Sequence, residues 1–175
     1  MGWINQISDV LQKYTGAQAS SPPPNASEDF AKVAESAPSS AVSGAIAEAF
    51  RSDSTPPFAQ MLSQLFSQSD PTQRAGILGQ LLSAAGPAAL SSGALGSLAS
   101  SLQGAQAGGT PRITPEQAQQ ITPDAVHQLA QHAEKQDPSI IDRAGEFYAE
   151  HPKLVQGLGA GALAIVMSHL SRQQH

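Results

Sequence analysis

The sequence predicts an all-α protein, a bundle of short helices separated by proline- and glycine-rich turns, with a tethered helix at the N-terminus and a glycine-bearing helix at the C-terminus. Three observations carry that prediction. Apolar residues recur at helical spacing along most of the 175 residues, no segment alternates apolar and polar residues as a half-buried strand would, and prolines stand repeatedly just ahead of apolar-periodic segments. Proline suits the first helical position, where its missing N–H would have no partner in any case, and a preceding Thr or Asp can cap the next free amides.

The elements follow in order. Residues 3–15 form an amphipathic helix, because Trp3, Ile7, Val10, Leu11 and Tyr14 share one face while Asn5, Gln6, Asp9 and Gln12 lie elsewhere, and Gly16 stops it. Pro22-Pro23-Pro24 cannot continue a helix and favours extended, solvated chain. Helices then follow over 27–36, 38–51, 56–67, 71–85, 87–103, 115–120, 123–135, 138–150 and 152–171, most of them opened by a proline. Two of the starts carry reciprocal capping pairs, Asp70 with Gln73 and Thr114 with Gln117. Gly104, Gly108 and Gly109 mark a flexible break. The chain therefore divides into an N-terminal amphipathic helix (1–15), a Pro-rich linker (16–26), a helical body (27–102), a Gly-rich linker (103–111) and a C-terminal helical unit (112–175).

Composition narrows the function. With no cysteine there is no disulfide framework, thiolate metal site or cysteine nucleophile. The net charge of -5, with lysines and arginines scattered singly, offers no patch to neutralise phosphates, so nucleic acid is not an expected partner. Met1 to Tyr14 lacks the basic start, apolar run and cleavage site of a Sec signal peptide, and the cytoplasm is the expected compartment.

Charge is distributed unevenly. Between Ser54 and Pro111 the charged side chains are Asp70 and Arg74 alone. A helix without charges on its outer face is either solvated by Gln and Ser or buried against its own fold or another copy, and Leu62, Leu65, Phe66, Ile77, Leu78, Leu81, Leu82, Leu90, Leu95, Leu98 and Leu102 supply the apolar surface to bury. In the last helix Gly157 and Gly161 form a small-xxx-small pair that lets two helices approach closely beside Leu154. The run from Leu154 to Leu170, flanked by Lys153 and Arg172, sits at the lower limit of the roughly 20 apolar residues of a membrane span, and a buried core or oligomer helix is the favoured reading over insertion.

Catalytic patterns are missing. His127 and His132 are five apart, not the three or four that would place two ligands on one helical face. Asp142, Glu146 and Glu150 do share a face, and read as a solvated stripe. No serine sits in a GxSxG elbow, and the glycines make neither GxGxxG nor a phosphate loop. No enzyme, metal or cofactor is expected.

The opening Met1-Gly2-Trp3-Ile4-Asn5-Gln6-Ile7, the Gln-rich helices with Leu-Leu pairs such as Leu81-Leu82, and the Gly, Ala and Ser rich connections resemble the YidB-like family of bacterial proteins. The resemblance implies a small all-helical bacterial protein, partly homeodomain-like in its helix arrangement, and brings no catalytic residue with it. The expected role is association, as a homo-oligomer or with a protein partner. Trp3, Ile7 and Leu11 would form a movable docking face, unless they fold back as ordinary packing, and Leu154, Gly157 and Gly161 a close-packing seam. The alternatives are membrane association through the first and last helices, and a metal-dependent hydrolase using His127, His132 and the Asp142 to Glu150 stripe.

Overall fold

The computed structural model describes residues 2–14, 24–86, 89 and 113–173, with the backbone alone at 2–4 and 6. The protein is all-α. Among the described residues the elements are α1 (Gly2–Gln12), α2 (Ala26–Ser36), α3 (Ser39–Arg51), α4 (Phe58–Gln68), α5 (Pro71–Ala85), α6 (Pro115–Gln119), α7 (Pro123–Gln136), α8 (Ile140–Ala149), α9 (Pro152–Val155), a 3-10 turn (Gln156–Leu158) and α10 (Ala160–Arg172). The helix expected over 87–103, the linker at 103–111, most of that at 16–26, and the expected stop at Gly16 lie outside the described residues.

Local chemistry accounts for the helix starts. Asp70 accepts the amide of Gln73 at 2.8 Å while Gln73 Oε1 accepts the amide of Asp70 at 3.1 Å, and Thr114 and Gln117 repeat this exchange at the head of α6. Thr122 caps α7 by accepting the Ala125 amide at 3.2 Å. Pro71, Pro115, Pro123 and Pro152 occupy first-turn positions as expected. Pro38 stands one residue outside α3, and Pro138 two residues ahead of α8. The Asp137 carboxylate accepts both the amide and the hydroxyl of Ser139, which holds that short stretch in a turn before α8 begins. At its far end α5 stops on Gly86, whose φ of 74° lies in the left-handed region where a side chain would be strained.

Two compact units result. The first comprises Met1–Pro57 and Ala144–His175. Its central element is α10, which packs most extensively on α3 and also on α2 and α1. Leu163, Ala164, Val166, Met167 and Leu170 are fully buried, so α10 has little free surface to offer a membrane or another chain. The second unit, Phe58–Arg143, centres on α7, whose Val126, Leu129, Ala130 and Ala133 pack on α4 and α5, while α6 covers another part of α5.

This grouping departs from the linear one read from the sequence, because both the body (27–102) and the C-terminal segment (112–175) contribute helices to each unit. Apolar stripes pair across the chain: those of α7 are taken up by α4 and α5, and those of α10 by α1, α2 and α3. In the second unit Leu62, Leu65, Phe66, Ile77, Leu78, Leu81 and Leu82 are buried within their own fold, whereas Leu90, Leu95, Leu98 and Leu102 lie outside the described residues.

Candidate functional site

The first candidate surface is the face of α1. Ile7 is 2% and Leu11 1% exposed, and α1 packs on α2 and α10; the backbone of Trp3 lies in α1 and its side chain is outside the described residues. Just beyond α1, Tyr14 donates its hydroxyl to Asp29 Oδ2 at 3.0 Å, and Lys13 Nζ stands 3.7 Å from the same oxygen. Burial first, then the hydrogen bond to Asp29 and its negative charge, push the Tyr14 phenol well above its ordinary range. Asp29 is itself only 4% exposed, so this bond satisfies a carboxylate that would be costly to bury alone. In this structure the first helix is thus folded back and fastened by a buried polar contact.

The second candidate, Leu154 with Gly157 and Gly161, does not form as a seam on one helix. Gly159 has a φ of 94° and interrupts the helix expected over 152–171, leaving Gly157 in the 3-10 turn and Gly161 in the first turn of α10. The i, i+4 relation that would have stacked the two glycines is lost. Leu154 is buried, while Gly157 and Gly161 are exposed and a Cβ at Gly161 would meet nothing within 4 Å. The close approach that glycine permits occurs instead at Gly145 of α8, where a Cβ would sit 2.6 Å from the carbonyl oxygen of Ser43 and 3.3 Å from Ala47 of α3. Sequence reasoning missed that residue. Its signal was a lone glycine inside a helix, a position that costs roughly 1 kcal/mol relative to alanine unless packing requires it.

The third candidate is the charge-depleted stretch, and both of its described charges are engaged at the corner between α4 and α5. Arg74 Nε donates to the carbonyls of Phe66 and Ser69, each at 3.0 Å. Its Nη2 donates to the carbonyl of Ser67 at 3.0 Å, and its guanidinium lies 5.1 Å from the centre of the Phe66 ring. A cation here supplies donors for the terminal carbonyls of α4 and favours the negative end of its dipole. Asp70 caps α5. What remains outside is uncharged: Gln60, Gln64, Ser67 and Gln68 on α4, and Thr72, Gly76, Gln80 and Ser83 on α5, each set at helical spacing and exposed.

Catalytic constellations are sparse. Among the described residues no three His, Asp or Glu side chains could jointly hold a metal ion. His127 and His132 lie on α7 in the second unit, whereas Glu146 and Glu150 belong to the first. Arg143 pairs with Asp137 at 2.7 Å, and the Asp142, Glu146 and Glu150 stripe is exposed; His175 lies outside the described residues. A shallow cleft of about 260 Å³ is lined by Ser39, Ser40, Ser43, Glu146, Ala149 and Glu150, with no histidine to activate a serine hydroxyl. Among the described residues two buried polar atoms lack a hydrogen-bond partner, His132 Nε2 and the Tyr148 hydroxyl, and burial alone drives the Tyr148 phenol far above its ordinary range. No helix among the described residues is long and apolar enough to cross a membrane. Compared with protein-family models, curated proteins and solved structures, the chain matches none.

Proposed function

We propose that the protein is non-enzymatic and acts by association, with a second copy or with another protein, through the uncharged outer faces of α4 and α5. The observation that carries this reading is the combination found there: a rigid platform of buried Met61, Leu62, Leu65, Phe66, Ile77 and Leu81 beneath an exposed layer of Gln, Ser and Thr, with both nearby charges engaged in capping. Depletion of charge characterises the contact cores of protein interfaces, where unpaired ions would be expensive to desolvate. The likeness of the opening residues to YidB-like proteins accords with an all-helical protein of this kind, and the bacterial cytoplasm is its proposed compartment. A membrane role for the terminal helices would require Ile7, Leu11, Leu163 and Val166 to leave the core, which the association reading does not.

Light scattering on the full chain over a concentration series tests the self-association arm. Growth of the mass toward a multiple of 18.0 kDa is expected. A constant 18.0 kDa at every concentration removes self-association from the reading.

A further inference from the structure

We propose that α1 is a strap that opens and closes on the first unit while α2, α3 and α10 stay folded, with the contact of Tyr14 and Lys13 to Asp29 as its clasp. The strap lies in the first unit and makes no use of α4 or α5, so it is independent of the association reading.

The packing of α1 is one-sided. Ile7 and Leu11 form its buried face, and Tyr14, just past its end, is fully buried as well. These side chains meet α2 and α10, whereas Asn5, Asp9, Gln12 and Lys13 are exposed. The elements beneath have other support. Helix α10 packs more extensively on α3 than on α1, and it also packs on α2, so lifting α1 leaves the larger contacts of α10 in place. An 11-residue helix is marginal alone in water, and α1 therefore regains chain entropy by melting as it lifts.

The chemistry of the seam points the same way. Asp29 is 4% exposed, and its Oδ2 accepts the Tyr14 hydroxyl at 3.0 Å with Lys13 Nζ 3.7 Å away. Burying a carboxylate is costly, so this contact offsets a cost that exists only while the strap is closed. When α1 lifts, Asp29 and Tyr14 regain water together, and neither is left buried without a partner. Asp29 also stands in the first turn of α2, where a negative charge is favoured, so α2 keeps that support in the open state. An apolar pair at the same two positions would gain nothing from water and would hold the strap harder. Opening bares Asp29 on the face of α2 that also carries Ala26 and Val33.

The test is hydrogen–deuterium exchange of the full chain at neutral pH, under conditions where the rate reports the opening equilibrium. The hydrogen-bonded amides of α1 are expected to be at least about tenfold less protected than those of α3 and α10. Tyr14→Phe leaves the Asp29 carboxylate buried without its hydroxyl donor, and should lower the protection of α1 by about tenfold more with α3 and α10 unchanged. Tyr14→Phe combined with Asp29→Leu should return α1 to the parent's protection or exceed it, because no charge is then buried. Circular dichroism verifies that both variants fold. Equal protection of α1, α3 and α10 in the parent would make α1 part of one cooperative core and overturn the strap, as would a loss of protection in all three helices on Tyr14→Phe. Protection of α1 that Tyr14→Phe leaves unchanged, or that the double variant fails to restore, would overturn the clasp.

Discussion

Raising the pH above 10 should progressively destabilise the first unit, and its two tyrosines allow the effect to be predicted in sign and size. The chain has only two tyrosines, Tyr14 and Tyr148, and both are fully buried in that unit. Burial raises both phenols, and the bond to Asp29 raises Tyr14 further. In the unfolded chain each ionises near 10. Below that pH both states hold their phenolic protons and stability is constant; above it the unfolded state releases protons that the folded state retains, so stability falls as pH rises. Each tyrosine contributes a loss of about 1.4 kcal/mol per pH unit, or roughly 5 kcal/mol for the pair two units above 10. Folded domains have only about 5–15 kcal/mol in total, so the loss is large. The assay is tyrosinate absorbance followed with far-ultraviolet circular dichroism. No tyrosinate should appear while helicity is intact, and both signals should then change together. Tyr148→Phe should halve the slope and, by deleting an unpartnered hydroxyl, leave stability at neutral pH equal or higher. Tyrosinate rising with a midpoint near 10 in a fully helical protein would refute the reasoning.

Two further predictions concern packing and caps, both read by denaturant titration. Gly145→Ala should destabilise by about 1–3 kcal/mol despite alanine's better helix propensity, because the new methyl meets the Ser43 carbonyl, whereas Gly161→Ala, in open space, should be neutral or stabilise by up to about 1 kcal/mol; equal effects would contradict the assignment of the close approach to Gly145. Arg74→Ala should cost about 2 kcal/mol through loss of its hydrogen bonds to three carbonyls, of which that of Phe66 keeps the Ser69 amide as donor, and Arg74→Lys should recover little, since an ammonium cannot reproduce the planar fork. Full recovery by lysine would mean that charge alone matters at that corner.

Features fixed by neighbours in sequence were legible. The span of α5, 71–85, follows from a capping pair at one end and Gly86 at the other, and the Thr114 and Thr122 caps follow from the same chemistry. Features fixed by distant contacts were not. Nothing near Gly145 announces that Ser43, a hundred residues earlier, will leave it no room for a methyl group. The assignment of α7 to α4 and α5, and of α10 to α3, is a choice among several apolar stripes of similar width. The interruption at Gly159 had a local signal that was underweighted: Gly157, Gly159 and Gly161 each cost a helix roughly 1 kcal/mol, and together they favour a break. The neutral stripe of α4 was visible as missing charge, but which of its apolar neighbours faced inward required the fold.

The first unit is closed by a helix that the ribosome makes last among its parts. All of 58–143 is synthesised between α3 and the segment that carries α10. At roughly 5–20 residues per second, the first three helices wait on the order of 5–20 s before the surface that covers them exists. During that interval Phe30, Val33, Val42, Ile46 and Phe50 lack the neighbours that later bury them, while α4, α5 and α7 can already find one another. The order of emergence thus makes the second unit the first to mature, and leaves the chain's opening segment dependent on whatever shields nascent apolar surface in the cell.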